Sequence, residues 1–192
     1  MPGILGRKIG MTRIFQDDGR VIPLTLIECQ PNTVVRVRTN EKGGYPAVVL
    51  GFKQLKKPKK TRKFYHLKEF RCAEGETYQV GDQITLEKFK DVESVKVTGV
   101  SKGKGFQGVV KLYHFRGGGR SHGSHFNREP GSIGCRAKPG RVHKGMKMAA
   151  RMGGENITLR DVPIVKIDIE KNLIALKGPV PGPNNSIIII RT

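Results

Sequence analysis

At 192 residues the chain has length for one domain, or for a modest domain with an appendage. Only 36% of it is hydrophobic, Gly reaches 25 and Trp is absent, so part of it is expected to bury a core and part is not. A net charge of +20 excludes an incidental surface excess. A compact fold carrying it repels itself without an anionic partner, with nucleic acid the first candidate and an anionic membrane surface the second.

The opening stretch MPGILGRKIGMTRIF has no long apolar run, so no signal peptide is expected. RVIPLTLIEC, NTVVRVRT and YPAVVLGF follow as short Val/Ile/Leu-rich strands, separated by the turn residues DDG, PN and EKGG. KQLKKPKKTRK, residues 53–63, carries seven Lys and Arg and no acid. DQITLEKF and VESVKVTGV read as further strands. Residues 101–154 then hold 13 of the glycines, four of the five histidines and a net charge of +11. Beyond them, VPIVKIDIEKNLIALKG predicts two strands joined at EKN, with Asn172 in the left-handed conformation such a turn needs. SIIIIRT predicts a last strand, and no apolar run is long enough for a membrane span.

Charge divides the chain sharply. Residues 1–52 carry +3, 53–63 carry +7, 64–100 carry −2 and 155–192 carry +1, so the two basic segments hold 18 of the 20 net charges. Seven to nine short strands with tight turns imply a closed or nearly closed β-barrel, since closure removes exposed edges. The expected organisation is a mainly β fold: a barrel from 1–100 with 155–192, including the basic loop 53–63, and a long irregular basic extension at 101–154. A loop of that length normally counts against an assignment unless it is functional or disordered. Doubled back as a hairpin, it could reach at most roughly 90 Å at about 3.3 Å per residue. Its glycines let backbone approach a phosphate closely, and its cations neutralise phosphates.

GKGFQG at 103–108 matches the dinucleotide-binding pattern, but only VVKLYHF separates it from three glycines at 117–119. That leaves no room for the helix such a site requires, and a basic turn against a polyanion fits better. His122, His125, Cys135 and His143 match no zinc spacing, and histidines among arginines more often meet nucleotides. Cys29, Cys72 and Cys135 are widely spaced and odd in number, with no Cys-x-x-Cys pair, which favours a reducing, cytosolic setting. Cys135 lies among Arg136, Lys138 and Arg141, but nucleophilic catalysis needs a placed base and oxyanion donors, and no catalytic constellation stands out in the sequence. Met146, Met148 and Met152 could share one face of a short helical turn as packing filler.

Several stretches, in order, resemble the bacterial-type large-subunit ribosomal protein L3 (uL3) family: GILGRKIGMTRIF, VTGVSKGKGFQGVVK at 97–111, SHGSHFNREPGSIG, PGRVHKGMKMAARMG and NLIALKGPVPGPNNS. The resemblance implies a β-barrel like that of translation elongation factors with a long extension. It implies early binding to 23S-type rRNA near its 3′ domain, an extension tip near the peptidyl-transferase centre, and ribosomal proteins L14 and L19 as neighbours in the cytoplasmic ribosome. The chain departs from the family pattern at Lys96, where an acid or amide is common, and at Leu112, where Arg is. Ala137 stands where many bacterial members carry a methylated Gln.

The expected function is therefore structural rRNA binding, with no catalytic residue, metal, cofactor, membrane or small-molecule substrate. The candidate contacts are Lys56, Lys57, Lys59, Lys60 and Arg62 in the loop. In the extension they are Lys102, Lys104, Arg116, Arg120, His122, His125, Arg128, Arg136, Lys138, Arg141, His143, Lys144, Lys147 and Arg151. The rivals are an enzyme acting on RNA or nucleotides through Cys135, the histidines or GKGFQG, and a DNA-architectural protein.

Overall fold

The computed structural model describes residues 3–39, 43–72 and 76–192. Among these are twelve strands: β1 (Ile4–Phe15), β2 (Val21–Glu28), β3 (Asn32–Arg38), β4 (Ala47–Gln54), β5 (Phe64–Arg71), β6 (Gln83–Ile84), β7 (Ser94–Val100), β8 (Gly105–Gln107), β9 (Ala150–Met152), β10 (Asn156–Asp168), β11 (Leu173–Lys177) and β12 (Ile187–Arg191). The helical elements lying wholly among the described residues are a 3-10 turn at Leu86–Phe89 and α1 (Val109–Tyr113). The chain divides into two compact units, Met1–Ser101 with Asn156–Thr192, and Lys102–Glu155.

In the first unit six antiparallel strands close into a barrel in the order β1-β12-β7-β10-β11-β2. Four more form a separate sheet, β5-β4-β3-β6. The basic loop 53–63 therefore joins two strands of this sheet, β4 and β5, rather than two barrel strands.

Strand β12 explains how the two sheets are joined. Ile188 and Ile190 point into the barrel core beside Ile4, Ile27, Val97 and Ile174. Ile187 and Ile189 point the other way and pack, with Leu5, on Val34, Val48, Leu50, Phe52, Phe70 and Ile84 of the sheet. A strand buried on both faces is continuously apolar, as the run of four isoleucines is. Close packing also explains Gly6, inside β1. A Cβ there would lie 2.5 Å from Cys29 Sγ and 2.6 Å from Ile27 Cγ2.

DQITLEKF is not one strand. Ile84 enters the sheet's core, whereas Leu86 and Phe89, on the 3-10 turn, enter the barrel's. Three-residue spacing from 86 to 89 suits a turn of 3-10 helix and not an alternating strand. Asn172 takes the left-handed conformation between β10 and β11, at φ 54°.

Candidate nucleic-acid interface

The basic loop is a short, locally bonded hairpin. Leu55 N–H donates to the Lys63 carbonyl at 2.9 Å, and Lys59 and Arg62 exchange backbone bonds of 3.0 and 3.2 Å. Arg62 folds its guanidinium back onto the carbonyls of Phe64 and Tyr65, at 3.3 and 3.0 Å. Lys56, Lys57, Lys59, Lys60 and Arg62 are all exposed. The strand that follows adds two groups the sequence reading did not single out. Lys53 Nζ stands 5.5 Å from the ring of the exposed Tyr65. His66 lies beside it, its pKa held below the usual 6.5 by burial and by the charges of Lys53 and Arg62. Interleaved rings and cations in TRKFYHLK were the available signal.

In the second unit, β8 pairs antiparallel with β9, setting Phe106 opposite Arg151. Lys104 N–H donates to the Met152 carbonyl at 2.9 Å. Beside this pair, Gly153, at φ 74°, leaves no room for a side chain: a Cβ would sit 2.1 Å from the Lys102 carbonyl oxygen. The Met-rich stretch is thus not helical, since Ala150–Met152 is paired strand and Met146 and Met148 are exposed. Helix α1 spans only five residues and ends at His114, in the left-handed conformation. With antiparallel strands and so short a helix, GKGFQG has none of the βαβ geometry of a dinucleotide site. Lys111, absent from the sequence-derived set, is exposed on α1.

Residues 117–131 form a loop around one ring. Gly118 N–H donates to the Asn127 carbonyl at 2.9 Å, and a Cβ on Gly118 would lie 2.5 Å from the Phe126 ring. Arg116, Arg120, His122, His125 and Arg128 lie on or next to this loop with exposed side chains. The chain reverses farther on: Gly134 approaches the carbonyl of Arg141, and residues 133–136 and 140–142 line a small open cavity of about 250 Å³. Arg136, Lys138 and Arg141 belong to this reversal, with His143, Lys144 and Lys147 after it. Lys147 Nζ stands 5.7 Å from the Tyr113 ring.

Val109 is the one buried residue of 102–155, and every residue from 125 to 149 is exposed. All nineteen candidate contacts are exposed, and the ion pairs among the described residues, Arg7–Glu28, Arg20–Asp18 and Arg38–Glu69, include none of them. His122, His125, Cys135 and His143 do not converge; no group of three or more His, Cys, Asp or Glu among the described residues could hold a metal ion. What the surface offers chemically is guanidinium, ammonium and backbone N–H donors, with Glu129 the one carboxylate between residues 102 and 154, which is the equipment for phosphate oxygens.

Comparison with known proteins agrees in kind. A family model described as Ribosomal protein L3 matches residues 47–170. Large ribosomal subunit protein uL3 of Dehalococcoides mccartyi is 46% identical over 198 residues, covering 98% of this chain and 97% of that protein. The proteins of the same name from Solibacter usitatus and Streptomyces coelicolor are 43% and 44% identical, each over 204 residues and 99% of this chain, and over 97% and 95% of their own lengths.

Proposed function

The chain belongs to the ribosomal protein L3 family, and on that premise we propose that it binds 23S-type rRNA early in assembly of the large ribosomal subunit, through the basic loop and the segment 101–154. The family is a structural component of the large subunit in the cytoplasmic ribosome, and not an enzyme. In this reading residues 1–100 with 155–192 anchor the protein at the subunit surface. Residues 101–154 are an arm that threads between rRNA helices, its turn near 135–140 directed toward the peptidyl-transferase centre. Ribosomal proteins L14 and L19 are the proposed protein neighbours. The translation-factor likeness of the barrel belongs to the same proposal.

The observation that supports it best is the stretch 125–149. It buries no residue, and it carries six Lys and Arg against the single acid Glu129. Chain with no core of its own gains order from what it contacts, and for such a charge that partner is a polyanion. The test is sedimentation of a tagged chain through a gradient after a high-salt wash. The tag is expected to travel with the large subunit. A tag left at the top of the gradient, or travelling with the small subunit, overturns the reading.

A further inference from the structure

Arg71 and Arg191 come from segments that look electrically unremarkable, 64–100 at net −2 and 155–192 at net +1. The fold brings them together. Arg71 ends β5, Arg191 ends β12, and both line one cleft of about 320 Å³ with Gly3, Tyr45, Glu69 and Phe70. Each guanidinium lies over a ring of that cleft: Arg71 is 5.0 Å from the Tyr45 centroid, and Arg191 is 5.0 Å from that of Phe70. Stacking of this kind fixes the plane of the guanidinium and leaves its N–H edge free for planar, bidentate acceptors.

Gly3 completes the wall. A Cβ there would lie 2.7 Å from the Phe70 ring and 2.7 Å from Arg191 Cγ, so only glycine lets the arginine stem lie against that ring. The one acid of the cleft is already engaged. Glu69 accepts the Tyr45 hydroxyl at 2.5 Å and is paired with Arg38 at 3.3 Å. Arg71 and Arg191 are exposed, and neither is paired with a described carboxylate.

Two pre-placed guanidiniums on a concave surface, with the local acid neutralised by a third, match the oxygens of a phosphodiester. We propose that this cleft is a further rRNA phosphate site, separate in sequence from the basic loop and from 101–154. It rests on the reading that the chain binds rRNA, and it adds a site that counting charges along the chain does not reveal.

The test is binding of the full chain to transcribed large-subunit rRNA over a salt series. The variants are Arg71→Gln, Arg191→Gln, the double variant, and Arg20→Gln. The last removes the same charge from an exposed turn, where Arg20 is paired with Asp18 at 3.3 Å. The double variant is expected to bind about tenfold more weakly and to have a log-affinity against log-salt slope shallower by about one to two. Arg20→Gln is expected to change neither by much. Restoring charge with Arg71→Lys and Arg191→Lys should recover the slope but not the full affinity, because the planar fork is lost. If the double variant melts early, Arg71→Gln alone carries the test, with a slope shift of about one. Variants that bind like the native chain, or no worse than Arg20→Gln, overturn this site and leave the rRNA reading standing. A native chain without affinity for rRNA overturns both.

Discussion

Lys8 is a cation with little access to water, 6% exposed within the barrel unit. Its ammonium donates to the carbonyls of Val180 at 2.7 Å and Gly182 at 3.0 Å, tying β1 to the segment before β12. Lys8→Met keeps the stem but leaves those carbonyls unmet, a loss of about 1–3 kcal/mol. Denaturant unfolding should show it, whereas the exposed Lys171→Met should change stability by less than about 0.5 kcal/mol. Glu28 gives a pH signature. Burial pushes its carboxyl up, but the hydrogen bonds from Arg7 and Gln30 and the Arg7 charge outweigh that and hold it below 4.5. A carboxyl lowered by folding stabilises above its unfolded value, and the contribution is lost as pH falls through the folded one. The melting-temperature gap between the native chain and Glu28→Gln should therefore be widest near neutral pH and narrow below 4.5; a gap unchanged on acidification would refute it. Neither residue's role was legible in the sequence. GRKIG shows a lysine among glycines, and only the path of β12's approach reveals the carbonyls around it. Arg71 and Arg191 were hidden for the same reason, since a pair so far apart in the chain has no local signature.

At the scale of elements, strands buried on one or both faces announced themselves. NTVVRVRT, YPAVVLGF and SIIIIRT became β3, β4 and β12 because packing demands apolar residues at fixed spacing. The strands that escaped notice lack that demand. Strand β5, FYHLKEFR, is an edge of its sheet and leaves Tyr65 and Leu67 exposed, so its pattern is mixed. Strand β1 contains Gly6 and Gly10, ordinarily signs of a turn, and here Gly6 answers a close approach. Strands β8 and β9 are three residues each, too short for periodicity to register. The basic loop was legible as charge but not as part of the second sheet. Its closure by Leu55 and Lys63 makes it replaceable. Exchanging residues 56–62 for Gly and Ser should leave the melting temperature nearly unchanged, because the side chains removed bury no core. If the intact chain neutralises on the order of ten phosphates, its salt slope should be very roughly −7 to −9, and the exchange should make it shallower by a few units. An intact slope near −1 would defeat the polyanion reading, and an unchanged slope after the exchange would remove the loop from the interface.

For the whole molecule the question is whether the two units answer to different forces. The first has two hydrophobic clusters, and the second has one buried residue, Val109. In the free protein, amides of the barrel strands should be strongly protected from hydrogen exchange, and those of 125–149 should exchange quickly. Uniform protection across both would mean that the second unit has cohesion its exposed side chains do not explain. Division of labour then predicts separable mutant effects. Arg136 and Lys138 lie in the chain reversal between Gly134 and Arg141, close to the midpoint of 101–154, while most of the candidate phosphate contacts lie elsewhere. If that reversal is the tip of an rRNA-threading arm, Arg136→Ala and Lys138→Ala should leave incorporation into the large subunit almost intact. They should alter events at the peptidyl-transferase centre, such as sensitivity to drugs that bind there or accommodation of aminoacyl-tRNA. If the two residues are ordinary phosphate anchors, each substitution should weaken incorporation and leave the assembled subunits with a normal drug response. Both quantities are measurable in one strain, incorporation by gradient sedimentation and drug response by growth inhibition. Lost incorporation with an unchanged drug response would defeat the tip assignment while leaving 101–154 as an rRNA-binding segment.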